Sequence, residues 1–153
     1  MTITAQEINT NELPTLPPIT KWELGDLPRI GEVWPGMGGR FVGIVRGQNG
    51  EPDYLLILSH ESTDELNWQQ AMDWAAGIQI EGHKDYTLPT REDWAVLFGN
   101  ARDQIEKDGY WSSTQHAEYA DYVWVQAFTN GLQGNLRKGN EWRARAVRRL
   151  IIQ

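Results

Sequence analysis

Three histidines, two pairs of adjacent carboxylates and a serine-bearing strand are the residues of this 153-residue chain that could carry acid–base or nucleophilic chemistry. His60, His83 and His116 stand far apart, and none has a second histidine or clustered carboxylates at metal-ligand spacing. Ser112 or Ser113 would need a base steadied by a third group to act as a nucleophile. His116 is the nearest histidine in sequence, but its polar surroundings supply no third member. Asp64/Glu65 and Glu92/Asp93 read as helix-start acids, which favour the positive end of a helix, whereas glycoside hydrolysis needs two carboxyls converging across a cleft. With no cysteine, thiol nucleophiles, thiolate metal sites and disulfides are excluded together. The expectation is a non-enzyme with no catalytic residue, no metal and no cofactor.

Recognition chemistry is better supplied. Gln115, His116, Glu118, Tyr119 and Tyr122 fall in one polar, aromatic stretch; Gln133, Asn135, Arg137, Asn140 and Trp142 fall in a second. Aromatic side chains give contact area at low entropy cost, amides adapt their hydrogen bonds, and loops carry binding function. These ten are the candidate ligand-binding residues. In the C-terminal segment Arg143, Arg145, Val147 and Arg149 alternate with Ala144, Ala146, Arg148 and Leu150. Arg145 and Arg148 read as structural arginines bonded to acids or carbonyls, with anion binding as the alternative.

Several elements must position these residues. Arg40–Val45 and Tyr54–Leu58 are strand-forming runs around an Asn49-Gly50 turn signal and predict a hairpin. Ser62 and Glu65 form a capping-box pattern for a first helix through Leu66, Trp68, Met72, Trp74 and Ala75, ending near Gly77. Thr90 caps a second helix whose face carries Trp94, Leu97, Phe98, Ala101 and Ile105. The period then returns to two: Tyr110–Thr114, Tyr122–Phe128, a turn at Asn130-Gly131, Leu132–Leu136 and Trp142–Leu150 read as strands. Strands, two helices and strands again predict α+β, with two helices packed on an antiparallel sheet.

Residues 1–28, with Pro14, Pro17, Pro18 and Pro28, show no core periodicity and are expected to form an extended N-terminal docking arm; residues 29–153 form the domain. Leu13, Pro14, Leu16, Pro17, Pro18 and Trp22 are the candidate partner-docking residues. Eight Trp point chiefly to core anchoring. Residues 137–153 hold six of the 14 Lys and Arg but only one of the 21 Asp and Glu, giving +5 there, −12 elsewhere and −7 overall. That acidic remainder argues against nucleic acid as a partner. No apolar run approaches the roughly 20 residues of a membrane span, and the first residues lack an export-signal pattern.

Leu88-Pro89-Thr90-Arg91-Glu92, Tyr110-Trp111-Ser112-Ser113-Thr114, Val123–Phe128 with Asn130-Gly131, and Arg143–Arg148 occur in that order. Over residues 31–150 this set resembles a bacterial and phage domain family of unknown function, shared with collagen-like adhesin C-terminal domains. The resemblance implies a C-type-lectin-like fold. Gly38–Gly47 resembles versions encoded near phage tail genes, which implies a non-enzymatic tail-fibre or baseplate-associated protein, located in the virion and assembled in the host cytoplasm. Implied partners are tail-fibre or baseplate proteins and a host surface receptor, glycan or protein, with presentation as a homotrimer or on a trimeric fibre. The alternatives are a purely structural virion decoration or connector and a bacterial adhesin-type glycan-binding domain. Calcium-dependent sugar binding by such lectins uses a Glu-Pro-Asn-like or Gln-Pro-Asp-like loop after the second helix. Here the only such string, Glu51-Pro52-Asp53, precedes both helices and reads as a surface turn.

Overall fold

The computed structural model describes residues 27–152, together with the backbone of three short strands ahead of them. These are β1 (Thr2–Ile3), β2 (Ala5–Glu7) and β3 (Trp22–Glu23). There follow β4 (Val33–Trp34), β5 (Gly39–Val45), β6 (Tyr54–Ser62), α1 (Trp68–Ala76), α2 (Arg91–Asn100), β7 (Gly109–Gln115), β8 (Tyr122–Ala127), β9 (Gln133–Arg137) and β10 (Arg145–Ile152). The class is α+β. One antiparallel sheet has the order β2-β10-β6-β5-β4, a second has β7-β8-β9, and β1 pairs with β3. Of the expected docking residues, Leu13, Pro14, Leu16, Pro17 and Pro18 lie outside the described residues, and Trp22 is described as a backbone partner of Ile3. Ala5–Glu7 adds an edge strand to β10, with Glu7 opposite Leu150.

The expected hairpin is β5–β6, with Val45 opposite Tyr54, and in its connecting loop Asn49 (φ 53°) and Gly50 (φ 82°) take the left-handed conformations an Asn-Gly turn favours. Leu55 to Leu58 are buried without alternation because both faces of β6 are covered. Leu56 and Leu58 pack with Val42 and with Trp94 and Leu97 of α2. Leu55 and Ile57 pack with Trp34, Phe41 and Leu150 on the other side.

β7 lies between two interiors. Tyr110 joins the α2 cluster, its ring 5.4 Å from Trp94 and 5.7 Å from Phe128. Trp111, next in sequence, faces the opposite way into a cluster with Trp68, Ala71 and Ala75 of α1 and Val123 and Val125 of β8. Both buried indoles find partners: Trp94 Nε1 donates to the Trp111 carbonyl (3.1 Å), and Trp111 Nε1 donates to the Leu66 carbonyl (2.7 Å).

Three expected boundaries are corrected. The first helix is capped by Asn67, not Ser62; its side chain accepts from the Gln70 N–H while Gln70 reaches back to the Asn67 N–H. Ser62 is still in β6, opposite Arg145, and Leu66 bonds the Trp142 backbone in both directions (2.8 and 2.9 Å), so residues leading into α1 stay extended. The second helix is capped by Thr90 and Asp93 as a capping box but stops at Asn100. The chain turns as the Gln104 N–H bonds the Ala101 carbonyl, and Ile105 reaches the same core from outside the helix. The last strand begins at Arg145, and a register shift between Arg145 and Val147 interrupts the alternation, so residues 144–148 are all buried.

Acids of the chain's own meet most of its C-terminal arginines. Arg143 Nε lies 2.7 Å from Asp108 and its Nη1 3.1 Å from Glu106. Arg148 Nε lies 2.6 Å from Asp85, and Arg149 Nη2 lies 2.7 Å from Asp93. Arg145 instead donates to two carbonyls, Gln104 (2.9 Å) and Ser59 (2.7 Å).

Candidate functional site

Strand alternation builds the candidate face. On β8, Val123 and Val125 turn inward, leaving Tyr122 and Trp124 half-buried on the outer side. The β8–β9 register sets Arg137 opposite Tyr122, Asn135 opposite Trp124 and Gln133 opposite Gln126, so these three side chains of β9 share that outer side. The β7–β8 loop brings His116 and Tyr119 over the same strands. The His116 ring is nearly parallel to that of Trp124, with centroids 5.8 Å apart, and 5.0 Å from that of Tyr119, which in turn is 6.1 Å from Tyr122.

Local bonds hold this loop in shape. The His116 N–H bonds the Tyr122 carbonyl (2.9 Å) and the Tyr122 N–H the Tyr119 carbonyl (3.0 Å). His116 Nδ1 accepts from the backbone N–H groups of Glu118 (3.1 Å) and Tyr119 (3.2 Å), which assigns the neutral-ring proton to Nε2. Tyr119 remains 60% exposed, the most available aromatic of the group.

Two guanidiniums frame the aromatics. The Arg91 Cζ lies 3.4 Å from the Trp124 ring centroid, and its Nε donates to Gln133 Oε1 (3.0 Å), while Gln133 Nε2 returns a bond to the Arg91 carbonyl (2.9 Å). Arg137 Nε donates to the Tyr122 hydroxyl (3.1 Å). Neither arginine has a carboxylate partner among the described residues. Flat rings, fixed guanidiniums and an exposed Asn135 amide form a surface suited to stacking and hydrogen bonding.

His116, Tyr119, Tyr122, Gln133, Asn135 and Arg137 are brought together here. Glu118 is on the exposed loop beside them, and Asn140 in the β9–β10 turn bonds the Arg137 carbonyl (3.0 Å). Gln115 pairs with Val123, on the opposite side of the sheet from Trp124, and accepts from Lys138 Nζ (2.8 Å), which sits 4.7 Å over the Trp68 ring. Trp142 is turned into the α1 cluster, its ring lying where a side chain at residue 109 would be; only glycine fits there. Arg91 and Trp124 were not among the sequence-based candidates. The outward alternation of Tyr122 and Trp124 was the available signal for the tryptophan, whereas nothing local marks Arg91 as more than a residue of a helix's first turn.

Ser112 Oγ donates to the Trp124 carbonyl (2.6 Å) and accepts the Thr114 N–H (3.1 Å), so this hydroxyl braces the strand instead of facing a base. Among the described residues no cluster of three or more His, Asp or Glu could hold a metal ion, and no helix is long and apolar enough to cross a membrane.

Comparison with known families matches residues 46–148, about two-thirds of the chain, to the model described as the Lcl C-terminal domain. No curated protein matches the sequence.

Proposed function

The chain belongs to the Lcl C-terminal domain family, and we propose that it is a non-enzymatic binding module with a C-type-lectin-like fold, carried on a phage tail fibre or baseplate. Its ligand face is the outer side of β8–β9 with the β7–β8 loop, and its ligand is a host-surface receptor. The observation that carries the binding reading is the Trp124 ring, contacted by the Arg91 guanidinium at 3.4 Å and by the His116 ring, with Tyr119 exposed beside it. Partially exposed aromatics and arginines that are already held in place lose little freedom on binding and are the residue types in which interface energy concentrates. The fold assignment draws on the order strands, two helices, strands, and the tail assignment on the likeness of Gly38–Gly47 to tail-associated versions. Virion location, a tail-protein partner and trimeric presentation follow from that same reading, with multiplied faces gaining avidity.

The variant Tyr119→Ala/Arg137→Ala tests the face, because both side chains are exposed and their loss leaves the interior intact. Adsorption to host cells, or binding on a glycan array, is expected to fall by tenfold or more, on the order of the ~2 kcal/mol typical of an interface hot spot. Unchanged binding by a variant with the parent's circular dichroism overturns the assignment.

A further inference from the structure

A second recognition site lies away from the aromatic face, in a polar cavity of about 240 Å³ lined by Arg40, Ser59, Ser62, Glu106, Arg143 and Arg145 among others. Charge there does not balance. Arg143 is met by Asp108 and Glu106, but neither Arg40 nor Arg145 has a carboxylate partner among the described residues. Arg40 donates to the Gly31 carbonyl (2.8 Å) and keeps its remaining donors. Arg145 is 6% exposed; its Nη1 and Nη2 are held by the Gln104 and Ser59 carbonyls, and its Nε has no hydrogen-bond partner.

An ionised side chain so deeply placed is costly unless a counter-charge meets it. Burial pushes the Arg145 guanidinium below its ordinary value, the direction expected of a cation lacking such a partner. The other three arginines of the C-terminal segment each have a carboxylate within 2.7 Å, which makes Arg145 the exception within its own strand region.

The geometry points to this cavity as a binding site for a small monocarboxylate, met by the Arg40 guanidinium and drawn by the uncompensated charge of Arg145 in the cavity wall. A guanidinium fork matches a planar carboxylate in shape and charge. The volume lies just below the ~300–1,000 Å³ of sites for drug-sized ligands, a size fitting a short organic acid. Glu106 on the lining is paired with Arg143, so it offsets only part of the positive charge that Arg40 and Arg145 present to an anion. Nothing in this site is shared with the Arg91, His116 and Trp124 face.

Nitrogen-15 NMR of the whole chain, following the arginine Nε–H resonances, tests the site with lactate as probe and inorganic phosphate as comparison, at constant ionic strength. Lactate is expected to shift the Arg145 Nε–H saturably. Arg40→Gln should weaken that response by tenfold or more, and Glu106→Gln should tighten it by roughly threefold to tenfold through loss of a nearby like charge. The Glu106 change is at an exposed side chain and keeps the test open if the Arg40 variant folds poorly. A non-saturable shift, or one indifferent to Glu106→Gln, overturns the site. Phosphate saturating as tightly as lactate overturns the monocarboxylate assignment.

Discussion

Arg148 shows how much of this interior depends on one charge. Its fully buried side chain lies 2.6 Å from Asp85, itself 5% exposed, and also donates to the Met37 carbonyl, tying β10 to the segment before β5 and to the chain after α1. Removing one partner of a buried pair leaves the other uncompensated. Arg148→Met is therefore expected to lower stability by about 3–5 kcal/mol in urea denaturation. Arg137→Met, at an exposed arginine on the outer face, should stay within about 0.5 kcal/mol. Adding Asp85→Leu to Arg148→Met should restore part of the loss; no restoration would mean that the pair is not what the arginine supplies. That these arginines need partners was legible from their place among Ala, Val and Leu. Which acid each one takes was not, because Asp85 and Asp93 lie 63 and 56 residues from Arg148 and Arg149. The same distance problem hides Arg91 against Trp124: one opens a helix, the other sits in mid-strand, and only packing joins them.

At the scale of elements, the caps distinguish local pattern from tertiary demand. Ser62-x-x-Glu65 and Asn67-x-x-Gln70 both offer a side-chain acceptor followed three residues later by a group that can answer it. The second wins because β6 runs on to Ser62 and Leu66 is bonded to Trp142, so no helix can start before Asn67. Asn67→Ala should cost about 1 kcal/mol by thermal or chemical denaturation, while Ser62→Ala should be close to neutral. The reverse ranking would return the cap to Ser62. Periodicity was enough to find both helices, the hairpin and the strands of the second sheet, since each carries its own apolar spacing. It missed the early stop of α2 because Ile105 still lands in the core, where a buried residue in a turn repeats the signal of a buried helical one. Trp142 was misleading for a similar reason: the slot that receives it is the missing side chain of Gly109, more than thirty residues away in sequence.

The molecule as a whole should have an alkaline limit set by tyrosine. Burial pushes the Tyr54, Tyr86 and Tyr110 hydroxyls up, Tyr86 to about 12, and each donates a hydrogen bond that its ionised form would lose, to Asp93, the Gly38 carbonyl and the Glu106 carbonyl respectively. The unfolded chain gives up the same protons near the ordinary value of about 10. Stability is therefore fully present below about pH 10 and is lost as pH rises through the folded values, because the unfolded state sheds protons first. The tyrosinate absorbance contributed by these three hydroxyls should rise in step with loss of the near-ultraviolet dichroism of the buried tryptophans. Full titration of all five tyrosines with the dichroism intact would contradict it. The strand β7, with Tyr110 on one side and Trp111 on the other, has a further consequence. It is a party wall between two interiors, and a change of side-chain volume on either side moves the one backbone against which both are built. The two cores therefore cannot drift independently: a substitution tolerated in one must be compatible with the packing of the other, and compensating changes will cross the wall.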